Sequence, residues 1–364
     1  MKKKKIRVAV LFGGKSAEHE VSIQSAKNVV ASLDETKYDV VLVGIDKQGS
    51  WHTLPGQSLL TSSFAKQTAI GDTNEVRLVA QDGGGKLVSL SGSGDAEAID
   101  VVFPILHGPF GEDGSMQGFL KLANVPFVGS GVLGSAVGMD KDISKRLLKE
   151  AGLPIAQFLV FRKNEKIDSD AVIKRLGLPL FVKPANLGSS IGVKKVHNKD
   201  EFSSAISEAF TYDNKILIEE AIVGKEVECS ILGNDDPIAS LPGEIVANHE
   251  FYDYDAKYFD EKGAVLCIPA NIPKEKIKEV QALAIKTFKT LCLEGMARID
   301  FFYTKDQTFF VNEANTIPGF TNISMYPQLW EASGMSYAAL VDRLIELALE
   351  KYASEQHLST TVIH

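Results

Sequence analysis

The segment Met296-Ala-Arg-Ile-Asp-Phe-Phe302, the polar turn Thr304-Lys-Asp-Gln307 and the run Phe310-Val-Asn-Glu-Ala-Asn315 set metal-binding residue types at β-strand spacing. Both flanks are rich in β-branched and aromatic residues, as the strands of a hairpin are. If the turn closes symmetrically, Arg298 faces Glu313 and Asp300 faces Val311. Directly opposed side chains share a sheet face, and so do residues two apart on one strand. Arg298, Asp300, Glu313 and Asn315 are therefore expected on one face, together with Phe302 and Phe309. Two carboxylates, a neutral oxygen donor and a cation suit Mg²⁺ ions that neutralise a polyphosphate. Most charged strand residues merely line a solvated face; the two aromatics argue against that here.

Such a site needs groups that hold the phosphates, and Phe181-Val-Lys-Pro-Ala-Asn-Leu-Gly-Ser-Ser-Ile-Gly192 offers them. It puts Lys183 on a strand, then a glycine- and serine-rich turn whose N–H groups and hydroxyls can lie across phosphates. An ordinary hairpin turn explains the glycines but not the lysine and the paired serines together. Gly13-Gly14-Lys15-Ser16 resembles the end of a P-loop, but the first glycine of that pattern falls on Ala9, so the spacing fails. These glycines still lie between a strand and a helix, where backbone N–H groups and the helix dipole can meet an anion. Glu18 and Glu20 sit in the same turn; acids there are more often dipole partners than ligands. His107 follows another strand at the same sheet end, where α/β folds bind ligands. A lone histidine is more often structural, yet His107-Gly-Pro-Phe-Gly-Glu-Asp-Gly114 reads as an exposed, shaped loop.

Alternating strands and helices must position these groups. Ile6–Phe12, Tyr38–Gly44 and Asp100–Leu106 read as buried strands, and Ile23, Ala26, Val30 and Leu33 recur at helical spacing. Ser115 is the expected cap of a helix through Asn124, stopped by Pro126. This is the pattern of a doubly wound α/β domain with a parallel sheet. Residues 48–98 are irregular, with turn-rich Gly83-Gly-Gly85 and Ser89 to Gly94, and suggest hairpins or a mobile insertion. Asp140 is the expected cap of the next helix, with Ile143, Leu147, Leu148 and Ala151 as its apolar stripe and Gly152 with Pro154 as its stop. Strands then alternate with loops and helices: Leu178–Lys183, Gly192–Val196, a helix Phe202–Phe210, a strand Lys215–Glu219, and helices near 274–291 and 335–352. The fold class is thus α/β and α+β, in three units: 1–140, 141–223 and 224–364.

Composition bounds the function. A chain of 364 residues exceeds the roughly 250–300 that one core supports. A net charge of -8 argues against nucleic acid or an anionic membrane as a partner. No apolar run approaches the roughly 20 residues that span a bilayer. Met1, four lysines and Ile6 mimic the start of a signal peptide, but Arg7 interrupts the apolar stretch and Gly13-Gly14-Lys15 replaces a cleavage site. Three cysteines, Cys229, Cys267 and Cys292, have no metal or redox spacing and read as core residues in a reducing compartment. The expected location is the cytoplasm.

Read in order, the motifs identify a family. Gly13-Gly-Lys-Ser-Ala-Glu-His-Glu-Val-Ser22, His107–Gly114, Met139-Asp-Lys141, Val182-Lys-Pro184 with Gly188-Ser-Ser190, Phe251-Tyr-Asp-Tyr-Asp-Ala-Lys-Tyr258, Ala297-Arg-Ile-Asp300 and Asn312-Glu-Ala-Asn-Thr-Ile-Pro-Gly319 resemble the D-alanine–D-alanine ligases of the ATP-grasp superfamily. The resemblance runs from Ile6 to about Tyr352. It implies an N-terminal α/β domain followed by a two-lobed ATP-grasp fold, with ATP between the lobes. It also implies ATP-driven joining of two D-alanines to the dipeptide used in peptidoglycan.

The same resemblance implies roles. Lys141 and Lys183 reach the phosphates under a Gly188-Ser189-Ser190 cover. Glu219, with the backbone at Ala221 and Ile222, reads adenine, and Glu226 reads the ribose; position 220 is Glu220 where the family often has lysine or glutamine. Asp300, Glu313 and Asn315 hold two Mg²⁺ ions, which Mn²⁺ can replace. Glu18 meets the ammonium of the first D-alanine and His107 lies near its carboxylate. Ser324 and the Met325 backbone anchor the second D-alanine. Arg298 and the Gly319 N–H stabilise the oxyanion. Lys257 pairs with the moving phosphate from a lid at 249–262, and Tyr258 closes a hydrogen-bonded chain through Ser189 to Glu18. The expected assembly is a homodimer. Three alternatives stand beside this reading: a D-alanine–D-lactate ligase on the same fold, an ATP-binding scaffold without turnover, and a nicotinamide-dependent dehydrogenase. The last lacks the G-x-G-x-x-G fingerprint after the first strand, and the scaffold predicts lost charged ligands, which this chain retains.

Overall fold

The computed structural model describes residues 4–54, 74–81, 84–90, 97–247 and 264–359. The continuous apolar runs β1 (Ile6–Gly13), β2 (Tyr38–Ile45) and β7 (Val101–Ile105) pair in parallel, with β1 in the middle. Both faces of β1 are covered, which explains its lack of polar alternation. Val8, Val10 and Phe12 pack on helix α1 (His19–Ser32), and Ala9 and Leu11 pack on the side of Leu120 and Val125.

The parallel part ends there. The irregular stretch after β2 contributes β3 (Trp51–Leu54), β4 (Asn74–Gln81), β5 (Gly84–Ser89) and β6 (Glu97–Ala98), which extend the same sheet antiparallel in the order β6-β5-β4-β3-β2-β1-β7. The expectation of hairpins was right for the described part, and among the described residues the parallel strands of this sheet are β1, β2 and β7.

Three helices follow: α2 (Ser115–Leu122), α3 (Val132–Met139) and α4 (Lys141–Glu150). Ser115 is not the cap of α2. Gly114, at φ +91°, holds that position, and Asp113 Oδ1 accepts the Ser115 N–H at 2.9 Å. Asp140 does cap α4, accepting from the N–H groups of Asp142 and Ile143. The apolar stripe expected on α4 is rotated, however. Ile143 and Leu147 are each 38 % exposed, while Lys141, Ser144, Lys145 and Leu148 face inward. Carboxylates across the gap, described below, hold the lysines inside.

The central lobe is an antiparallel sheet of β8 (Phe158–Arg162), β9 (Leu180–Pro184), β10 (Lys194–Val196) and β11 (Lys215–Glu220), ordered β10-β9-β11-β8. Helices α5 (Ser169–Leu176) and α6 (Lys199–Tyr212) cover the face carrying Leu180, Val182, Ile216 and Ile218. Period-two alternation therefore sends Lys183, Lys215 and Glu219 to the other face.

The C-terminal lobe pairs β15 (Ala264–Cys267), β14 (Gly243–Ala247), β12 (Gly224–Gly233), β16 (Gly295–Thr304) and β17 (Phe309–Asn315) in that order, with β13 (Ile238–Ala239) on β12. Val227, Cys229, Ile299, Phe301, Phe309 and Val311 form its core face against α7 (Lys274–Thr290). Helices α8 (Met325–Ala332) and α9 (Tyr337–Gln356) close the chain. Leu340, Val341, Leu344 and Ile345 of α9 pack in the same core as Val8, Phe12 and Phe103, so the last helix completes the N-terminal domain. Of the cysteines, Cys229 is buried as expected, but Cys267 is half-buried and Cys292 exposed; all are free thiols.

The β16–β17 hairpin departs from the symmetric register. Tyr303 pairs with Phe309, so Thr308 joins the turn, its carbonyl accepting the Thr304 N–H at 3.0 Å. Phe301 pairs with Val311 but Asp300 pairs with Glu313, which leaves Asn312 as an extra residue in a β-bulge. Arg298 accordingly pairs with Asn315 rather than Glu313. Phe309 does not share the face of Phe302, which pairs with Phe310; it stacks against Phe301 and Tyr303 in the core. The bulge reverses side-chain parity. Phe309 and Val311 point into the core, and two residues later Glu313 and Asn315 emerge on the opposite face with Arg298 and Asp300.

Candidate active site

On that face Asp300 is a hub. Arg298 grips it in a fork, Nε to Oδ1 at 2.7 Å and Nη2 to Oδ2 at 2.8 Å, and Asn315 Nδ2 donates to Oδ2 at 2.9 Å. Arg298 Nε also lies 2.9 Å from Glu228 Oε2 on β12, a carboxylate the sequence reading did not single out. Burial alone would lower the Arg298 pKa, but Asp300 and Glu228 outweigh it and push the value above the ordinary arginine range. Asp300, Glu313 and Asn315 are thus brought together as expected. Glu226, two residues before Glu228, stands opposite Phe302 and shares the face.

Across the gap, Lys141 Nζ donates to the Leu187 carbonyl at 2.6 Å and lies 3.6 Å from Glu313 Oε2. Deeper in, the two oxygens of Glu219 are each paired with an ammonium group, one from Lys183 and one from Lys145. Lys145, a position outside the apolar stripe expected on α4, is 1 % exposed. Burial pulls the Lys145 pKa down from the usual ammonium range. Burial would raise that of Glu219, but Lys145 and Lys183 outweigh it and hold the carboxyl below its ordinary range. A buried carboxylate so bracketed stays ionised. Glu220 turns away to the sheet edge, where its Oε1 accepts the Gln157 N–H at 2.7 Å. The Ala221 N–H bonds to the Pro179 carbonyl at 3.3 Å, and Ile222 follows in the link between lobes.

The glycine-serine loop reaches the N-terminal domain. Ser189 and Ser190 both adopt left-handed backbone, at φ +52° and +59°. That region is uncommon for residues with a Cβ and is a form of local strain found at ligand clamps. The Ser189 hydroxyl donates to Glu18 Oε1. Glu18, only 6 % exposed, precedes α1 but does not cap it with its side chain. Glu20, by contrast, is an exposed partner of Lys47 at 3.4 Å, the bland outcome for an acid near a helix start. A Cβ on Gly108, at φ +77°, would come within 2.6 Å of Glu18 Oε2, so this position needs glycine for both conformation and space.

His107 is buried beside this carboxylate. The Ile317 carbonyl can only accept, so His107 Nδ1 carries the hydrogen at 3.0 Å, and neutral Nε2 accepts from Ser25 Oγ at 3.1 Å. Burial lowers the His107 pKa, against the opposing pull of Glu18. Glu112, another residue the sequence reading passed over, clamps two loops. Its oxygens accept the Gly108 N–H at 2.9 Å and the Ile317 N–H at 2.8 Å. Burial and then Glu18 push its pKa up to about 8. Its place inside the His107–Gly114 loop was the only available signal.

At the far end, Ser324 opens α8, and its Oγ accepts the Thr321 N–H at 2.9 Å. A Cβ on Gly319 would sit 2.7 Å from that oxygen, so the two chain segments meet only because residue 319 is glycine. Met325 is buried at the helix start, where N–H groups suit a carboxylate. Lys257, Tyr258 and the 249–262 lid lie outside the described residues.

Among the described residues no group of three or more His, Cys, Asp or Glu side chains is arranged to hold an ion alone. The donor set nevertheless fits Mg²⁺, which is commonly held by one or two carboxylates and completed by substrate phosphates and water.

Two lobes that meet across lysines on one side and carboxylates on the other form an ATP-grasp fold. The family model for the D-ala D-ala ligase N-terminus matches residues 7–130, and that for the C-terminus matches residues 147–346. A protein from Oceanobacillus iheyensis named D-alanine–D-alanine ligase is 52 % identical over 365 residues, covering 99 % of both chains. D-alanine–D-alanine ligase A of Salmonella typhimurium is 51 % identical over 362 residues, covering 98 % of this chain and all of its own. The solved D-alanine-D-alanine ligase from Coxiella burnetii superposes with a TM-score of 0.88 at 39 % identity over 97 % of each chain. The VanG D-Ala:D-Ser ligase of Enterococcus faecalis superposes at 0.84 with 35 % identity, over 95 % of this chain and all of its own. The chain belongs to the D-alanine–D-alanine ligase family.

Proposed function

We propose that the chain joins two D-alanines into D-alanyl-D-alanine for peptidoglycan synthesis, converting ATP to ADP and phosphate. The observation that carries this reading is one face with Arg298, Asp300, Glu313 and Asn315 set against Lys141 and Lys183, in a chain about half identical, over its whole length, to ligases of that name. Asp300, Glu313 and Asn315 would hold a pair of Mg²⁺ ions, or Mn²⁺ in their place. When bound, these ions offset the charge that develops on the transferring phosphoryl group.

The protein's own groups do the rest. Lys141 and Lys183 reach the phosphates, with Lys183 leaving Glu219 to do so, and Ser189 and Ser190 cover them. Glu219, still held by Lys145 through one oxygen, and the backbone at Ala221 and Ile222 read adenine, and Glu226 takes the ribose. Glu18 binds the ammonium of the first D-alanine, whose carboxylate attacks the γ-phosphate and becomes an acyl phosphate. His107, neutral and fixed as the Nδ1–H tautomer, shapes the carboxylate end of that pocket. Ser324 and the Met325 N–H hold the second carboxylate. The second amine, having lost a proton, attacks the acyl carbon, and phosphate departs. Arg298 and the Gly319 N–H stabilise the oxyanion, where preorganised donors count most. Lys257 and Tyr258, assigned on sequence alone, complete a lid that keeps water from the acyl phosphate.

The N-terminal domain spans 1–140 and the two lobes 141–223 and 224–364, with α9 docked back on the first. The proposed assembly is a cytoplasmic homodimer. No helix among the described residues is long and apolar enough to cross a membrane. The test supplies ATP, Mg²⁺ and D-alanine and measures phosphate and dipeptide together. Phosphate without dipeptide, or no D-alanine-dependent turnover, would remove the reading.

A further inference from the structure

Glu228 carries a charge that none of the roles above uses. It stands opposite Asp300 in the β12–β16 register and is 6 % exposed. Both oxygens of Asp300 already accept hydrogen bonds, Oδ1 from Arg298 Nε, and Oδ2 from Arg298 Nη2 and Asn315. Of the roughly four lone-pair sites of a carboxylate, three are filled here, two of them by Arg298, so a metal ion that uses Asp300 must share its charge with the guanidinium. The single hydrogen on Nε points to Asp300 Oδ1 at 2.7 Å, yet the same nitrogen is 2.9 Å from Glu228 Oε2. Arg298 sits between two acceptors and can exchange one for the other by a change of tilt, without leaving its place.

Resting on the reading that Asp300 binds metal, we propose that Glu228 is a positioning residue that takes over Arg298 when Asp300 turns to the ion. A buried guanidinium left without a carboxylate is strongly disfavoured. With Glu228 present, Arg298 keeps a counter-charge throughout, so Asp300 is released at low cost and the arginine stays aimed at the reacting carbonyl. Without it, Arg298 is left to Asp300 as its remaining close pair, and metal binding draws on that pair. The two acids on β12 thus divide the work: Glu226 faces the nucleotide and Glu228 faces the arginine.

The test titrates Mn²⁺ into the full-length protein with a non-hydrolysable imido analogue of ATP, read by electron paramagnetic resonance. Glu228→Gln is expected to weaken protein-bound Mn²⁺ about tenfold and to leave metal-free binding of the analogue unchanged. In an Arg298→Met background, where Asp300 has no guanidinium to give up, the same substitution is expected to do nothing further. An unchanged Mn²⁺ affinity in Glu228→Gln overturns the proposal. So does an equal loss in both backgrounds, which would mean that Glu228 attracts the ion through space. Should Glu228→Gln fail to fold, Glu228→Asp keeps the buried charge but shortens its reach, and must also weaken Mn²⁺ for the proposal to stand. Absence of protein-bound Mn²⁺ in the unmodified chain would overturn the metal reading itself, a result distinct from a failure at Glu228 alone.

Discussion

Ser189 donates its hydroxyl hydrogen to Glu18, joining the glycine-serine loop of the central lobe to the N-terminal domain. The loop and the proposed first-substrate pocket are therefore joined by a hydrogen bond. Glu18→Gln should raise the Michaelis constant of the first D-alanine and slow turnover, because a hydrogen bond to a charged group is worth about 1.5–3 kcal/mol. Ser189→Ala should act on the same constant, and the double variant should lose less than the two singles added, with a coupling of about 0.5–3 kcal/mol. If Glu18 serves only the helix dipole, kinetics stay intact and stability falls slightly; measuring both in each variant decides it.

Glu313 stands between Lys141 and the Asp300 face, and would be a ligand in the proposed metal site. Glu313→Gln should nearly abolish turnover. Lost neutralisation beside a transferring phosphoryl group costs several kcal/mol, and about 1.4 kcal/mol is tenfold in rate. Near-normal activity in a folded variant would exclude the assignment.

Lys145 and Lys183 share Glu219 but should differ under substitution. Lys145 is 1 % exposed, and its removal leaves a buried carboxylate short of a partner. Lys145→Met should cost about 3–5 kcal/mol of folding stability, seen as a lower denaturation midpoint. Lys183→Met should chiefly weaken ATP, read from its binding constant. Equal effects of both variants on both readouts would mean that Lys183 is only a structural partner.

The raised pKa of Glu112 has a definite consequence for stability. Its folded value of about 8 exceeds the ordinary carboxyl value of 4.5, so between these limits the native state holds a proton that the unfolded chain has released. Stability from this group is fully present below about pH 4.5 and is lost as pH rises through about 8. His107 works in the opposite sense. Its pKa is lowered from 6.5, so the unfolded chain binds the proton first and stability is lost as pH falls below that value. From pH 6.5 to 8, then, Glu112 acts without His107. Glu112→Gln should be less stable overall, because its amide cannot accept from both the Gly108 and Ile317 N–H groups. Its stability should nevertheless be flatter than that of the unmodified protein across this window. Urea unfolding at several pH values checks it; parallel curves would mean that Glu112 is ionised throughout.

What was legible in the sequence was whatever follows from period and local chemistry. The parallel strands around β1, the Asp140 cap and the shared face of Arg298, Asp300, Glu313 and Asn315 were all readable. The pairing that puts them there was not. A turn one residue longer and a bulge at Asn312 depend on where Phe309 and Val311 find core space, and no local rule supplies that. Buried charge was the other blind spot. Amphipathic patterning assigns a lysine to water, so the stripe on α4 was rotated toward Ile143 and Leu147. Lys145 faces inward only because Glu219 waits on a strand distant in sequence. Glu112 and Glu228 were missed for the same reason: their partners, Ile317 and Arg298, come from other elements.

The acceptor should be D-alanine in preference to D-lactate. The family resemblance implies that ligases of the depsipeptide type carry phenylalanine at the position of Tyr258, or a differently built loop containing a histidine. A protonated histidine repels an incoming ammonium and favours a neutral hydroxy acid. Tyr258 adds no positive charge, and through Ser189 it is expected to extend the bond already made to Glu18. With D-alanine and D-lactate supplied equally at neutral pH, the dipeptide should dominate the product. Tyr258→Phe should loosen closure over the first substrate and raise the depsipeptide share. D-Serine, the second substrate named for the Enterococcus faecalis neighbour, makes a useful third competitor, since it too carries an ammonium group. Mass spectrometry of the product mixture reads all three at once, and predominant D-alanyl-D-lactate from the unmodified chain would overturn the choice of acceptor while leaving the fold and the ATP chemistry in place.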